Sequence, residues 1–512
     1  MSGLREGRPG GTHRRPAPTP EAASGVPVDD TVARAVRGLF GRDSLYMLMW
    51  ALQLVAAAAL TPAITRVLGT PEFGAVAAAT AVMQVLVVVA GLGLRTAIQR
   101  HYAGSGGETE ARRLLMLTLI LAAVVTVLAD GTGPLWSRYL GFDSYGGALR
   151  LAVYWAGVSA LVSASLALLR SHDRLLAFSC VSLLQSVGAA AAGLLLVVVV
   201  HPTATMFILA QLLLQIVAAV MALCLAPPKP LRLRDSQLAR AALSYALPLV
   251  PAVLCTFVLG SSDRLIVQAK LGLTAVARYQ VAYNVGDMPI LLLGVLSASW
   301  MPRLFALDVA GERGAVLAAS RDALYRLLAP VVVGLSIGSP LVLRLWAPAE
   351  YRPDDLVLVT AVVIVSAVPY TAGLSARCAL LAEGRSGMIA AATGVAAVTN
   401  IVLNLLLVPR FELLGAAVAT FLAYAVLHVL LLLRAGDALP TQRNSPMRLL
   451  QVAAAVVVAL LSPALPTSTA YLVLRGVLVV ASLAWFGWVL AQVNSRRFAP
   501  GLRAATRPPG PR

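Results

Sequence analysis

Polar side chains at helical spacing interrupt one of the apolar stretches of this sequence. Gln280, Asn284 and Asp287 follow one another at steps of four and three residues, and Tyr283 lies beside them, so one helical face would carry the group. A carboxylate held in an apolar stretch can bind a proton or a small cation. Asp287 is therefore our candidate for a coupling ion, and the stripe predicts one wall of a polar cavity.

A second stripe near the start of the chain has helical spacing but no charge. Its members are Tyr46, Trp50, Gln53, Ala57 and Thr61. Gln53 and Thr61 are its candidates for lining a cavity, because their side chains can form hydrogen bonds. For both stripes the alternative is hydrogen bonding between helices that only fixes their packing.

Two arginines are candidates for binding an anion, because a guanidinium group grips phosphate with two hydrogen bonds. Arg264 directly follows Asp263 at the end of a span, so an interfacial ion pair is its alternative role. Arg377 ends an apolar stretch, where an arginine can equally anchor the orientation of a membrane protein. The cavity candidates are Gln53, Thr61, Arg264, Gln280, Tyr283, Asn284, Asp287 and Arg377.

Other polar residues inside apolar stretches predict packing contacts. Asn400 and Asn404 are four residues apart, and Gln211 and Gln215 repeat that spacing, so each pair would face one neighbouring helix. His428 stands alone in an apolar stretch, where a buried imidazole with its hydrogen bonds satisfied is expected.

The elements that carry these residues are apolar stretches of about the length that spans a bilayer. A hydrocarbon core of about 30 Å requires roughly 20 apolar residues in a helix, and this chain is 59% hydrophobic and 12% charged. The sequence predicts an all-α polytopic membrane protein with about fourteen transmembrane helices. Pro248 and Pro251 predict a kink in the seventh helix. The predicted spans are 44–65, 74–94, 114–130, 151–169, 175–200, 205–225, 241–262, 279–300, 327–343, 356–376, 387–408, 413–433, 449–466 and 471–492.

Positive charges fall mainly in every second connection between these spans. If both termini are cytoplasmic, 31 of the 41 Lys and Arg residues lie inside, as the positive-inside rule requires. The net charge of +18 is then explained by contact with anionic lipid headgroups. Membrane lipids are therefore expected partners, and nucleic acid is not.

The first twelve spans divide into two halves that resemble each other. Gly69 and Gly272 each follow a Leu at the end of a span, 203 residues apart, and the same offset relates Arg100 to Arg303. Six spans in each half, both beginning inside, predict two lobes related by an axis along the membrane normal. The predicted organisation is a disordered cytoplasmic tail (1–43), a six-helix lobe (44–226), a cytoplasmic linker (227–240), a second six-helix lobe (241–434), two extra transmembrane helices (447–492) and a cytoplasmic tail (493–512).

Motifs for catalysis or metal binding are missing from the sequence. It contains no Walker loop, HExxH, GxSxG or paired-carboxylate motif, and its four cysteines have no metal-ligand spacing, which predicts packing thiols. Asp354 and Asp355 would point apart on a helix, and residues 301–326 predict an amphipathic helix at the membrane surface. We therefore expect no enzyme activity, no cofactor and no metal.

Several segments carry a family resemblance. They are 66–74 (RVLGTPEFG), 91–94 (GLGL), 244–249 (SYALPL), 262–264 (SDR) with Tyr279, and 400–411 (NIVLNLLLVPRF). In this order they resemble the bacterial polysaccharide-unit flippases of the multidrug/oligosaccharidyl-lipid/polysaccharide exporter superfamily, over about residues 40–435. The resemblance implies a two-lobed helical transporter in the bacterial cytoplasmic membrane, and the charge distribution predicts that both termini are cytoplasmic.

That family implies the movement of a polyprenyl-diphosphate-linked oligosaccharide to the outer leaflet by alternating access, for cell-surface polysaccharide. The implied partners are the lipid-linked glycan and, beside it, a polysaccharide polymerase and glycosyltransferases. Two alternatives belong to the same superfamily. A cation-coupled multidrug exporter would have an acidic residue in the first span, where this chain has Gln53, and a peptidoglycan-precursor flippase would have an arginine cluster there. A glycan polymerase would need a large outer loop, which this sequence lacks.

Overall fold

The structure is a computed structural model that describes residues 42–104, 106–232, 235–298, 310–436, 445–466 and 468–494. The described residues form helices joined by turns, and none of them lies in a strand. Residues 46–512 belong to one compact unit, and the other unit, 1–45, is described only from Arg42 onward, as the beginning of a helix. The predicted disordered tails lie almost entirely outside the described residues.

Seventeen α-helices are numbered along the described parts of the chain. They are α1 Arg42–Gly91, α2 Leu94–Ala103, α3 Gly107–Gly131, α4 Gly133–Tyr139, α5 Gly147–Ser171, α6 Leu175–Leu183, α7 Ala189–Val199, α8 Ala204–Leu225, α9 Ser236–Ala246, α10 Val250–Leu271, α11 Leu273–Gly286, α12 Met288–Ala298, α13 Ala310–Trp346, α14 Val357–Ala382, α15 Ser386–Ala435, α16 Pro446–Leu461 and α17 Thr469–Asn494. A π-helical turn, Leu184–Gly188, joins α6 to α7.

Eleven helical stretches among the described residues are long and apolar enough to cross a membrane. Two helices, α1 and α15, each contain a break and hold two predicted spans. The eighth predicted span, 279–300, extends past the last described residue of α12. The eleven stretches therefore account for thirteen of the fourteen predicted spans, and the protein is an all-α polytopic membrane protein. The division into two lobes with the stated boundaries stays a prediction.

Two glycines end helical segments in the same conformation, 203 residues apart. Gly69 inside α1 has φ 70° and ψ 175°, and Gly272 between α10 and α11 has φ 83° and ψ 177°. This combination is essentially restricted to glycine, because a side chain would clash with the backbone. The offset found in the sequence thus relates two turns with nearly identical geometry.

We name the two ends of the helices according to the predicted orientation. The outer end holds the turns at Gly69 and Gly272, and the inner end holds the turns at 104–107, 171–175 and 383–385. One apolar cluster lies toward the outer end and joins residues from α1 to α15. A second cluster lies within α10–α17 and a third within α2–α9.

The outer end is tightly packed between the first and second halves of the chain. A Cβ atom added to Gly74 would lie 2.0 Å from the carbonyl oxygen of Leu273. Thr65 Oγ1 donates a hydrogen bond to the carbonyl oxygen of Trp346 at 2.5 Å, and Tyr351 Oη donates to that of Gly69 at 3.0 Å. Burial raises the pKa of the Tyr351 phenol above its ordinary value, which keeps this donor protonated.

Two further helix breaks meet on the inner side. The predicted kink in the seventh span is confirmed, because a short 3-10 turn, Leu247–Leu249, separates α9 from α10. The break between α1 and α2 contains Leu92 and Gly93, both with positive φ. A Cβ atom on Gly93 would lie 2.7 Å from the carbonyl oxygen of Ala246. Two interrupted helices therefore touch beside their interruptions.

Three local predictions were wrong. Helix α13 runs without interruption from Ala310 into the ninth span, so the described part of 301–326 is not a separate surface helix. Cys180 and Cys224 are exposed, and their thiols face away from the protein core rather than packing in it. His428 Nδ1 is buried without a hydrogen-bond partner among the described residues, so this imidazole is not fully satisfied.

A buried arginine fastens the last two helices to the rest of the protein. Arg475 of α17 is 1% exposed, and it donates to the carbonyl oxygens of Ile337 at 3.0 Å, Ser462 at 2.8 Å and Leu465 at 3.0 Å. Ile337 lies on α13, whereas the other two acceptors end the α16 segment. Because the carbonyl groups of Ser462 and Leu465 follow the end of α16, the guanidinium supplies donors that this helix itself cannot.

The orientation gives a direct test. Cysteines near 101, 172, 230, 312 and 440 are expected inside, and those near 140, 203, 350 and 468 outside. In intact cells, a membrane-impermeant thiol reagent should therefore label Asp143→Cys, whereas Pro230→Cys should react only after the cells are permeabilised. Both side chains are exposed in the structure. The parent protein measures the background from its natural cysteines, and labelling of Pro230→Cys in intact cells would contradict the orientation.

Candidate functional site

Arg264 of α10 is held by several hydrogen bonds in the second half of the protein. It is 7% exposed, its Nε donates to Gln280 Oε1 at 2.7 Å, and its Nη1 donates to the Gly260 carbonyl oxygen at 2.5 Å. The guanidinium carbon lies 4.1 Å from the centre of the Tyr283 ring, a cation–π contact. Nη2 donates to none of the described residues. The cation therefore has a fixed orientation and keeps one nitrogen for another acceptor.

Asp263 neutralises this cation from the neighbouring position of the same helix. Its Oδ1 accepts from Arg264 Nη1 at 2.8 Å, and its Oδ2 accepts from Tyr279 Oη at 2.6 Å. The Asp263 side chain is 1% exposed. The ion pair given above as the alternative role of Arg264 is therefore present, and it is buried rather than interfacial.

The predicted stripe on the eighth span is assembled next to this pair. Gln280 Nε2 donates to Asn284 Oδ1 at 2.5 Å, so the same glutamine links Asn284 to Arg264. Asp287 lies at the junction of α11 and α12 and is partly exposed. It attracts Arg264 electrostatically and repels Asp263. The structure thus brings together five of the predicted site residues: Arg264, Gln280, Tyr283, Asn284 and Asp287.

Tyrosines from three helices surround the charged groups. Tyr279 and Tyr283 of α11 have ring centres 5.8 Å apart, and the phenol groups of Tyr283 and Tyr424 interact electrostatically. Tyr424 of α15 in turn packs edge-on against Tyr370 of α14, with ring centres 5.5 Å apart. We call the five residues Asp263, Arg264, Tyr279, Tyr283 and Asp287 the charged cluster. Phenol rings give it walls that are apolar on their faces and polar at their tips.

The other predicted site residues lie elsewhere. Gln53 Nε2 donates to Ser182 Oγ of α6 at 2.6 Å, so its amide contacts a helix of its own half. Thr61 is partly buried and has a polar contact of its own. Arg377 is exposed near the inner end of α14, where its charge acts on Tyr370. Arg377 is therefore connected to the charged cluster through the tyrosines, whereas Gln53 contacts a different helix.

Sequence reasoning missed a polar contact between the halves. Gln84 of α1 accepts a hydrogen bond from Ser261 Oγ of α10 at 2.8 Å, one helical turn from Arg264. The offset of 203 residues that relates the two glycine turns also relates Gln84 to Asp287. The repeat was therefore the signal that would have found Gln84. Equivalent positions in the two halves carry an amide in the first and a carboxylate in the second.

The paired asparagines pack against this region as predicted. Asn400 Oδ1 accepts from Ser262 Oγ at 3.1 Å, and Asn404 Nδ2 donates to the backbone oxygen of Asn400 at 2.8 Å. Both asparagines are fully buried. Of the other predicted pair, Gln215 Nε2 donates to Gln185 Oε1 at 3.2 Å, which joins α8 to the π-helical turn. No group of three or more His, Cys, Asp or Glu residues in the described parts of the chain could hold a metal ion.

A second polar cluster lies at the outer end, between α3 and α5. Both oxygens of Asp130 accept from Arg150, at 2.9 Å and 3.0 Å, and they also accept from Tyr145 at 2.7 Å and from Tyr154 at 2.9 Å. Burial and the bond to Asp130 raise the pKa of the Tyr145 phenol above its ordinary value. Because four donors occupy this carboxylate, the cluster joins two helices and leaves no position for a ligand.

The sequence profile of a family described as polysaccharide biosynthesis protein matches residues 63–346, which is more than half of the chain. The chain belongs to this family. The resemblance found in the sequence motifs is confirmed by this match. A comparison with curated proteins gives no significant match.

Solved structures of membrane transporters share the fold. The lipid II flippase MurJ in an inward closed conformation is 13% identical, with 88% of this chain and 99% of that chain covered and a TM-score of 0.66. An inward-facing multidrug resistance MATE transporter of the MOP superfamily is 16% identical, with 78% of this chain and 94% of that chain covered and a TM-score of 0.58. The straight conformation of MATE is 16% identical, with 81% of this chain and 96% of that chain covered and a TM-score of 0.55. These similarities confirm the all-α polytopic fold class, and the structural neighbours are described as transporters and flippases.

Proposed function

We propose that this protein flips a polyprenyl-diphosphate-linked oligosaccharide across the bacterial cytoplasmic membrane by alternating access, for the synthesis of a cell-surface polysaccharide. The family and the fold support a flippase or transporter. The observation that supports the more specific proposal is the guanidinium of Arg264, which is buried among polar groups and held in a fixed orientation. Its Nη2 donates to none of the described residues and can therefore bind an anionic substrate.

The diphosphate is the part of such a substrate whose passage through the bilayer depends most on stabilisation by the protein. Moving a charged group to the bilayer centre costs at least about 2.5–3.5 kcal/mol, whereas an arginine offers several N–H donors in the geometry of a phosphate. Arg377 near the inner end and Arg264 deeper in the protein would offer two successive cationic positions. The tyrosines between them provide hydroxyl groups and ring faces, which suit a sugar better than aliphatic side chains do.

Asp287 is the candidate for coupling transport to an ion. Its carboxylate lies in a helix junction, partly exposed, and faces the charge of Arg264. Binding of a proton or a cation at Asp287 would free Arg264 from one negative neighbour and strengthen its attraction for an anionic substrate. Release of the ion would have the opposite effect, so ion binding and substrate binding would be linked.

The close packing of the outer end supports an alternating-access cycle. The contacts at Gly74, Thr65 and Tyr351 join the two halves on that side, and substrate release to the outer leaflet would require them to separate. The substrate would enter from the cytoplasmic side with its prenyl chain in the lipid. A polysaccharide polymerase and glycosyltransferases are the proposed functional partners, and both termini are proposed to be cytoplasmic.

The test is export measured together with membrane abundance. Asp287→Asn and Arg377→Gln are expected to lower surface polysaccharide while the protein remains inserted, because both side chains are at least partly exposed and can be replaced without leaving a cavity. A hydrogen bond to a charged group contributes about 1.5–3 kcal/mol, so loss of the Arg377 contact is expected to reduce transport roughly ten- to a hundredfold. Asp287→Asn should also flatten any pH dependence, since the amide cannot titrate.

Arg385→Gln is the matched control. Arg385 also lies at the inner end, but it forms an exposed ion pair with Glu383 at 3.0 Å, and such pairs contribute little. The Arg385→Gln variant is expected to export as much polysaccharide as the unmodified protein. Full export by both Asp287→Asn and Arg377→Gln at normal abundance would refute the proposed roles. Flipping of a labelled lipid-linked oligosaccharide in proteoliposomes distinguishes this substrate from drugs and from peptidoglycan precursors.

A further inference from the structure

A cavity of about 540 Å³ with charged and polar side chains in its lining opens at the inner end, away from the charged cluster. One wall comes from the turn between α2 and α3, and the other comes from α9. The lining residues are Arg100, His101, Gly104, Gly106, Glu110, Ala241, Ser244 and Tyr245. The cavity thus lies between the first half of the chain and the beginning of the second.

Arg100 is the cation of this cavity. Its guanidinium carbon lies 4.2 Å from the centre of the Tyr245 ring, so the ring covers one face of the group. This contact orients the guanidinium but leaves the N–H groups at its edge available, because a cation–π contact does not use them. Among the described residues, no acceptor receives a hydrogen bond from the Arg100 side chain.

The nearby carboxylate is directed to another partner. Glu110 Oε2 lies 2.9 Å from His101 Nδ1, and the glutamate reaches this position because residue 106 is glycine. A Cβ atom on Gly106 would lie 1.9 Å from the Glu110 side chain. Glu110 is held by His101 and forms no ion pair with Arg100, so the edge donors of the Arg100 guanidinium stay available.

The position of the cavity suits a group at the membrane surface. It lies beside the contact between Gly93 and Ala246, where α2 and the α9–α10 segment leave the apolar region. Basic pockets between transmembrane helices on the cytoplasmic side are typical binding sites for lipid headgroups. A guanidinium with free edge donors is suited to phosphate in particular.

We propose that this cavity binds the phosphate group of a lipid in the inner leaflet, with Arg100 as the main donor. Two lipids have the required chemistry: the prenyl diphosphate that carries the glycan, and an anionic phospholipid. The first source rests on the proposed function and would make the cavity a docking position before Arg377 and Arg264. Because the two walls belong to different halves, an occupant would also bridge α2 and α9.

A local readout separates this cavity from the charged cluster. Ser244 is exposed at its rim, so Ser244→Cys in the full-length protein gives a thiol whose alkylation can be followed by peptide mass spectrometry. The natural Cys378 reports on the neighbouring Arg377 in the same sample. The probes are farnesyl diphosphate, a short-chain phosphatidylglycerol and farnesol, which has no phosphate.

Farnesyl diphosphate, phosphatidylglycerol or both are expected to slow alkylation of Ser244→Cys, and farnesol is not. Adding Arg100→Gln should weaken this protection about tenfold, whereas Arg95→Gln, an exposed cation of α2 that does not line the cavity, should leave it unchanged. Protection by the diphosphate alone identifies the glycan carrier, and protection by phosphatidylglycerol identifies a phospholipid site.

Three results would overturn the inference. They are no protection by either phosphate probe, equal protection by farnesol, and equal loss in the Arg95→Gln and Arg100→Gln variants. If Ser244→Cys stays unprotected while Cys378 is protected, the cavity proposal fails and the proposed function stands. If only Ser244→Cys is protected, the cavity binds a lipid phosphate independently of Arg377.

Discussion

Replacing Gly74 by alanine is expected to open the outer end of the protein. The added Cβ atom would lie 2.0 Å from the carbonyl oxygen of Leu273 and 2.7 Å from its carbonyl carbon. Both are backbone atoms, which a rotamer change cannot move aside. Overpacking of this kind costs about 1–3 kcal/mol, and that cost is removed when the two halves separate. The ratio of outer-open to outer-closed protein should therefore rise roughly five- to 150-fold.

The measurement is a distance between spin labels at the outer end. Asp143 and Ala349 are exposed there in opposite halves of the chain, so labelled cysteines at these positions report their separation. We expect the Gly74→Ala variant to populate longer distances and to export less polysaccharide, because it would spend less time open to the inner side. Gly131→Ala is the control, since its Cβ atom would meet no atom within 4 Å. An unchanged distance distribution in an abundant Gly74→Ala protein would contradict the outer closure described above.

The sequence predicts this part of the fold well because the determinants are local. A glycine that follows a leucine at the end of an apolar span marks a helix end, and the 203-residue offset marks its counterpart. Gly69 and Gly272 accordingly share one conformation. The kink at Pro248 is predicted for a similar reason, since proline removes a hydrogen bond from its own helix. In these cases the cause lies within a few residues of the effect.

The site is less predictable because its contacts depend on which helices become neighbours. Helical spacing grouped Gln280, Asn284 and Asp287, and the structure places the first two on α11 in contact with each other and the third directly after its end. The same rule gave Gln53 a place in the cavity wall, but the structure pairs it with Ser182, 129 positions away in the chain. Tyr424, which packs edge-on against Tyr370, belongs to the twelfth span and has no sequence signal of its own. Periodicity places a residue on a face, and only tertiary packing decides what that face meets.

The second large effect is a loss of stability, which we expect when the buried ion pair of Asp263 and Arg264 is broken. Removing one partner of a buried ion pair leaves an uncompensated charge and costs about 3–5 kcal/mol. We therefore expect Asp263→Asn and Arg264→Gln each to lower the thermal stability of the purified protein and its membrane abundance. In Asp263→Asn the cation keeps only neutral acceptors on Gln280 and Gly260, and in Arg264→Gln the carboxylate keeps Tyr279.

The double variant Asp263→Asn/Arg264→Gln separates folding from transport. It removes both charges of the buried pair, so stability and abundance should recover most of the loss seen in either single variant, and a double-mutant cycle measures the coupling. Export should not recover, because the glutamine at position 264 cannot offset a diphosphate. The exposed pair of Arg344 and Asp354, with atoms 3.0 Å apart, is the control, and its disruption should change stability by no more than about 1 kcal/mol. Full export by the double variant at normal abundance would reduce Arg264 to a packing role, and the anion site would then have to be sought at Arg377.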